Sequence, residues 1–417
     1  MSDRLTEDPN GIRSPSEFNI NYVRIMSSSM SDFVDITKLV LYIEIFESIY
    51  SPFLTLNICV ADNVSMAALL PFRGEELVEV DIVGPDGETG LRRQAFYVYK
   101  LTDRTQVSDK TYGYTMQCIT PAAIADMNLK LSQSMSGQPS DIVQNKILKE
   151  ALGVNKPLIN YQTKYPISYI SNYWSPLQNI KYICDRSVSL DGNAPSYVFY
   201  ETKYKYNFVT LNALVVQPAK AYFVYSTNTH ATDIETQMTI IHRLFTDVSF
   251  SYIDRLMAGA YSNRTLTVDP TRKSYHYSYY DFSESYNKFN RLNNQNFSSD
   301  AVPRRVNSVF RHRTAPSSSV PGMPLEATDS WFGPRMTELA AISASTIQID
   351  VAGRFNLVAG DVIDVLVPRT DIQSGNPEFI DPSLSGRYLI TGLKHMLDRT
   401  RHTLHIQASR DSMPKVN

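Results

Sequence analysis

Cysteine is scarce in this chain. Only Cys59, Cys118 and Cys184 occur in 417 residues, scattered and odd in number. Such usage excludes a disulfide framework and a CxxC metal site. Each cysteine has apolar or aromatic neighbours and is expected to act as a small core hydrophobe. Charge of either sign is also lacking in excess: 40 Lys+Arg against 42 Asp+Glu leave a formal −2. A dedicated nucleic-acid binder carries a clear basic excess, so no sequence-specific nucleic-acid partner is expected. No apolar run approaches the ~18 residues needed to span a bilayer, so membrane insertion is not expected either. The opening "MSDRLTEDPNGIRSPSEF" is polar with mixed charge, unlike a signal peptide, and reads as a flexible arm. Catalytic signatures are missing too: GxSxG, HExxH and GxxxxGK[ST] do not occur.

What is present is tyrosine, 26 residues against 2 tryptophans. A tyrosine side chain suits places where its ring is buried and its hydroxyl reaches a polar partner, as at protein interfaces. The length calls for more than one packed core. From Asn19 to about Ser134 the pattern is β. "FVDITKLVLYIEIFESIYSPFLTLNICVA" holds two or three strands, "GPDGETG" (84–90) reads as a hairpin loop, and "YGYTMQCIT" is a further strand. In the strand at 95–101, Ala95, Tyr97, Tyr99 and Leu101 share one face, and Phe96, Val98 and Lys100 the other.

At Ser136 the period changes. Ile142, Val143, Ile147, Leu148, Ala151 and Leu152 recur at helical spacing, with Ser140 or Asp141 as cap and Gly153 as stop. A second helix follows Ser175, with Pro176 at its first position and Leu177, Ile180, Ile183 and Cys184 on its apolar side. A hairpin, "SYVFYET" and "KYKYNFVTLNALVV", completes this unit. Residues 233–282 read as a helix, a break near Gly259 and two strands. Residues 286–330 are loop-like, and after Trp331 come a helix and four strands.

The expected fold is therefore α+β and mainly β. It has a small antiparallel barrel or sandwich in the first third, a second small barrel in the last third, and helix-plus-hairpin regions inserted between them. The expected divisions are an arm (1–18), a first barrel (19–135), an inserted α+β domain (136–232) and the start of a second barrel (233–285). A loop-rich insertion (286–330), the rest of the second barrel (331–412) and a short tail (413–417) follow.

Three groups of residues invite a chemical reading. Asp361 and Asp364 interrupt the apolar run "FNLVAGDVIDVLVP". Carboxylates that act together must converge on one substrate, but residues three apart on a strand face opposite ways. Asp361 is expected to complete the turn at Gly360, and Asp364 to face solvent or a partner subunit. Three of seven histidines, His395, His402 and His405, crowd the C-terminal hairpin. His402 and His405 differ in parity, so His395 and His405 are the pair expected to face each other. Two imidazoles fall short of the three or four ligands of a zinc site, so no metal is expected. "PRRVNSVFRHR" holds Arg304, Arg305, Arg311 and Arg313 with His312. Its composition reads as a solvated loop, with an acidic-partner contact as the other reading.

The order of the pieces resembles the central baseplate hub proteins of contractile-tailed bacteriophages. This T-even-like hub family is related to the hub portion of type VI secretion spike proteins and to the late-control D proteins. The resemblance lies in "SDIVQNKILKEALGV" and in "SPLQNIKYICDRSVSLDGNAPSYVFYETKYKYNFVTLNALV" with its F-Y-E strand. It continues in "MAGAYSNRTLTVDPTRKSYHYSYYDF" and in the barrel end "FNLVAGDVIDVLVP … SGRYLITGLKHML … HTLHIQASRDS". It covers about residues 20 to 412, while the arm and residues 286–330 match nothing in it. No hydrolase segment is seen at either end.

The resemblance implies two tube-protein-like antiparallel β-barrel domains in each chain and a homotrimer at the tip of the tail tube, whose six similar barrels match a sixfold tube to a trimeric central spike. The implied partners are the spike protein, tail-tube or tube-initiator proteins, baseplate wedge proteins and the tape-measure protein. The implied place is the virion's tail baseplate after synthesis in the host cytoplasm. No catalytic residues and no cofactor are implied, and nothing in the sequence singles out partner-binding residues. Two other readings stand beside it: a sixfold tail-tube or tube-adaptor protein, and a cell-wall glycosidase. The last needs two carboxylates about 5–9 Å apart across a sugar cleft.

Overall fold

The computed structural model describes residues 16–27, 33–64, 66, 72–226, 233–248, 261–269, 273–296, 308–313, 328–343, 345–369 and 380–414. The first β-unit contains β1 (Asn19–Met26), β2 (Val40–Ser48), β3 (Thr55–Asp62), β4 (Leu77–Val83), β5 (Gly90–Ser108) and β6 (Thr111–Ile119). β3 shows why these are strands. Leu56, Ile58 and Val60 are fully buried while their neighbours are partly exposed, the period-2 signature of a sheet with one wet face. The unit wraps a core that includes Val23, Ile43, Ile58, Val80, Phe96 and Met116. α1 (Pro121–Asn128) follows it.

The inserted unit holds β7 (Leu131–Gly137), α2 (Ile142–Ala151), β8 (Leu158–Asn160), β9 (Ile167–Trp174) and α3 (Pro176–Cys184). It ends with β10 (Tyr197–Glu201), β11 (Tyr206–Thr210) and α4 (Leu211–Val216). The capping box at Ser175 is present: its side chain accepts from Gln178 N–H while the Gln178 side chain accepts from Ser175 N–H. Neither Ser140 nor Asp141 caps the other helix. Pro139 opens a short turn after Gln138, and α2 continues from Asp141 with wide turns, Leu152 N–H bonding to Ile147 C=O. Gly153 (φ 62°) stops it as expected.

Next come β12 (Ala221–Tyr225), α5 (Ile234–Thr239), β13 (Ile240–Val248), β14 (Ser262–Asp269), β15 (Ser274–Asp281), β16 (Ser308–Arg313) and α6 (Thr328–Ala341). The chain ends with β17 (Ser345–Ala352), β18 (Val362–Leu366), β19 (Gly386–Asp398) and β20 (His402–Arg410). Six of these strands close into a barrel in the order β12-β18-β19-β20-β17-β13 and back to β12. Its core includes Phe223, Ile241, Ile349, Val365, Tyr388 and Ile406.

Several expectations meet differences here. The segment after Asp233 is not one long helix: α5 gives way at Ile240 to β13, whose Ile240 and Ile241 are buried in the barrel. β12, upstream of residue 233, supplies a barrel strand, while β14 and β15 lie in a separate three-stranded sheet with β16. The barrel is not wholly antiparallel, because β12 runs parallel to both β13 and β18. On β5 a bulge at Tyr99 breaks the expected alternation. Val98 opposes Cys118 and Lys100 opposes Gln117, so Leu101 turns inward to pack on the core. The expected break near Gly259 lies outside the described residues.

The two β-units are joined edge to edge. Residues Gly392 to Asp398 of β19 pair antiparallel with Ser48 to Tyr42 of β2, fusing both units, with the short strand Val34–Asp35 on the outer edge of β1, into one continuous 13-stranded sheet.

Candidate functional site

The hairpin between β10 and β11 drives its turn into the seam between the two β-units. Tyr204 Oη donates to Phe355 C=O (2.8 Å) and accepts from Gly90 N–H (3.2 Å), touching both units at once. Glu201 binds the first unit. Its carboxylate accepts from Leu54 N–H (2.9 Å), Thr120 Oγ1 (3.0 Å) and Lys156 Nζ (2.9 Å).

Lys203, two residues on, is fully buried and pairs with the equally buried Glu47 of β2, Nζ to Oε1 3.3 Å. Its other ammonium protons reach Leu357 C=O (2.6 Å) and His395 Nε2 (3.2 Å). Three acceptors thus meet three donors. Glu47 also accepts from the backbone N–H groups of Lys203 (3.0 Å) and Ala359 (3.1 Å). Burial pulls the Lys203 ammonium below its ordinary pKa, and the Glu47 carboxylate pulls it back up.

The network continues into the C-terminal hairpin. His395 Nδ1 lies 2.9 Å from His402 Nε2, and the Phe355 ring packs on both imidazoles. Because His395 Nε2 accepts from Lys203, its proton sits on Nδ1 and is donated to His402. Burial, then Lys203 and His402, hold His395 well below the usual imidazole value. Burial and Lys203 lower His402 to about 3. Both rings are neutral, and the partner of His395 is His402 rather than the expected His405. His395 stands opposite Leu404 and Lys394 opposite His405, one step away from the register that would face His395 with His405. A one-residue slip reverses every face, so His402 turns inward with His395. His405 turns outward to Asp350, Nδ1 to Oδ1 2.5 Å.

Asp361 and Asp364 diverge. Asp361 completes the Gly360 turn, accepting from Val358 N–H (2.9 Å) and Lys220 Nζ (2.9 Å), while Asp364 is level with Arg387 and Tyr222 on the neighbouring strands. Cys118 and Cys184 are buried core groups. Burial raises both thiols, Cys184 to about 12, whereas Cys59 is only half-buried. Arg304 and Arg305 lie outside the described residues. Arg311, His312 and Arg313 belong to strand β16, beside Leu266, Thr267 and Val268 of β14. Among the described residues, no cluster of three His, Cys, Asp or Glu side chains could hold a metal ion, and no helix is long and apolar enough to cross a membrane.

This arrangement locks surfaces together: its buried charges are compensated within the seam. Sequence reading passed over Glu47, Glu201 and Lys203. The available signal was three charged residues, Glu201, Lys203 and Lys205, around the turn of a hairpin whose strands are rich in aromatics, "YVFYETKYKYNF". A half-wet hairpin has the same composition, so burial could not be read from it.

No family model matches the chain, and no curated protein matches it in sequence. Solved structures do. The 43 kDa tail protein of prophage MuSo2 from Shewanella oneidensis matches over 94% of this chain and 99% of its own, with 10% identity and a TM-score of 0.56. The tail protein from Neisseria meningitidis MC58 matches over 94% and 96%, with 11% identity and a TM-score of 0.54. The prophage tail protein gp18 from Listeria monocytogenes EGD-e matches over 93% and 94%, with 9% identity and a TM-score of 0.50.

Proposed function

We propose that this chain, which has the fold of phage tail proteins over nearly its whole length, is a structural baseplate hub. Three copies form a ring that joins the sixfold tail tube to a trimeric central spike. The ring lines the DNA channel at the virion's tail tip. Tube or tube-initiator proteins, wedge proteins and the tape-measure protein are the further partners of this reading.

One observation carries it: the two β-units have the same strand order. Numbered in chain order within each unit, both run 1-4-5-6-3-2, as β1-β4-β5-β6-β3-β2 and β12-β18-β19-β20-β17-β13. The correspondence extends to register. Leu77 opposes Tyr97 and Tyr97 opposes Ile119 in the first unit. Val362 opposes Leu389 and Leu389 opposes Ser409 in the second. Bulges recur at matching places, Tyr99 with Thr391 and Leu41 with His242. The first strand differs: β12 runs in the opposite direction to β1 and closes the second unit through β13, whereas the outer edge of β1 pairs with the short strand Val34–Asp35. Two alike units per chain let three chains present six nearly equivalent barrels to a hexagonal tube, which supports symmetry matching over catalysis.

Sedimentation of the purified chain, with an image of the particle down its axis, tests the reading. Three copies around a channel are expected. Six copies would favour the tube-adaptor reading, and a monomer that stays monomeric with spike protein added would overturn both. Clearing of a peptidoglycan suspension would favour the glycosidase.

A further inference from the structure

The seam inside the chain is also a template for the contact between chains. The fifth strand of the second unit, β19, is longer than the strand it pairs with on one side. β18 covers it from Gly386 to Leu389, and the rest, from Gly392 to Asp398, is covered by the second strand of the first unit, β2. The same two strand positions are open elsewhere. β4 covers β5 only as far as Tyr97, and among the described residues no strand pairs with the remainder on that side, through Ser108. β12 pairs with β13 only at Ile240 and Ile241, and among the described residues no strand pairs with that edge from Arg243 onward. Both open edges carry exposed apolar side chains, Val107 at 70% and Phe245 at 54%. Such edges in an isolated protein are usually blunted or covered.

We infer that the free edge of β5 pairs antiparallel with the free edge of β13 in a second copy of this chain, repeating the β19–β2 contact. The register follows from the internal correspondence. Thr105 opposes Gly113 and Gln106 opposes Tyr112, as Met396 opposes Thr403 and Leu397 opposes His402, so Thr105 stands for Met396 and Gln106 for Leu397. Leu244 opposes Ile349 and Phe245 opposes Gln348, as Ile43 opposes Ile58 and Glu44 opposes Asn57, so Phe245 stands for Glu44 and Leu244 for Ile43. Met396 pairs with Glu44 and Leu397 with Ile43 inside the chain. Between chains, Thr105 therefore opposes Phe245 and Gln106 opposes Leu244. Each chain donates one edge and accepts one, a heterologous contact that closes into a ring. That three copies close it rests on the hub reading; the edge pairing itself does not.

The test is a cysteine pair in a Cys59→Ser background. Thr105→Cys with Phe245→Cys places two thiols directly across the ladder, with Cα atoms about 4.5–5.5 Å apart, inside disulfide range. Thr105→Cys with Leu244→Cys is one step out of register and faces its thiols to opposite sides. Mild oxidation is expected to give covalent species up to three chains on a denaturing gel. The in-register pair should exceed the off-register pair at least roughly tenfold, because only its Cβ atoms share a face. A particle that sediments as a trimer but shows no such preference overturns the edge pairing and leaves the hub reading standing. A chain that stays monomeric at micromolar concentration with spike protein added overturns both.

Discussion

Lys203 Nζ lies 3.3 Å from Glu47 Oε1, and neither side chain is exposed to solvent. A buried pair of this kind contributes little net stability over apolar residues of the same shape, yet breaking it strands a charge. Lys203→Ala or Glu47→Ala is expected to cost about 3–5 kcal/mol. The double variant Glu47→Leu with Lys203→Met should recover much of that loss. Urea denaturation of the three variants checks both statements, and a double variant no more stable than the singles would refute the pairing account.

The two buried histidines set an acid limit. Their folded pKa values are depressed, so between the unfolded value of about 6.5 and the folded one only the unfolded chain takes up the protons. Stability is intact above about pH 6.5 and falls as the pH drops toward 3, the value for His402. The slope is at most about 1.4 kcal/mol per pH unit for each histidine. His402→Phe should be less stable at neutral pH, because His395 Nδ1–H loses its acceptor, but its stability should fall less steeply with acid. Melting temperatures between pH 7 and pH 4 compare the slopes, and parallel curves would rule this out.

Gly360 is required twice over. Its φ of 91° lies in the left-handed region, and an added Cβ would overlap the Tyr200 hydroxyl. Gly360→Ala is expected to destabilise by more than ~1 kcal/mol from the backbone alone, with steric strain added. Tyr200→Phe in the same chain should relieve part of the steric share. Thermal unfolding of the single and double variants measures the coupling, and strictly additive effects would count against it.

Gly353 is excluded from substitution for another reason: an added Cβ would enter the His402 imidazole. Gly353→Ala should displace that ring and disturb the His395 contact. The expected readout is a shifted or broadened His395 signal in the NMR spectrum of the folded protein. An unchanged signal would mean the loop accommodates the methyl group elsewhere.

The sequence alone determined the β character, the helices of the inserted unit, the turn role of Asp361 and the divergence of Asp361 from Asp364. Each follows from local period or local backbone preference, which near neighbours in the chain set. The four C-terminal strands were legible in the same way, from Ser345 to Arg410. Only the tertiary structure decided which histidines meet, because the register at His395 and His402 is set by the turn that Asp398 N–H closes on Arg401 C=O, and composition does not announce it. It also decided that Lys203 is buried, since a lysine at a hairpin turn is ordinarily wet and its partners here, Glu47, Leu357 and His395, all lie more than 150 residues away in the chain. The matched strand orders were equally hidden: pairing joins residues far apart in sequence, and its free energy comes from surfaces that exist only once the chain has folded.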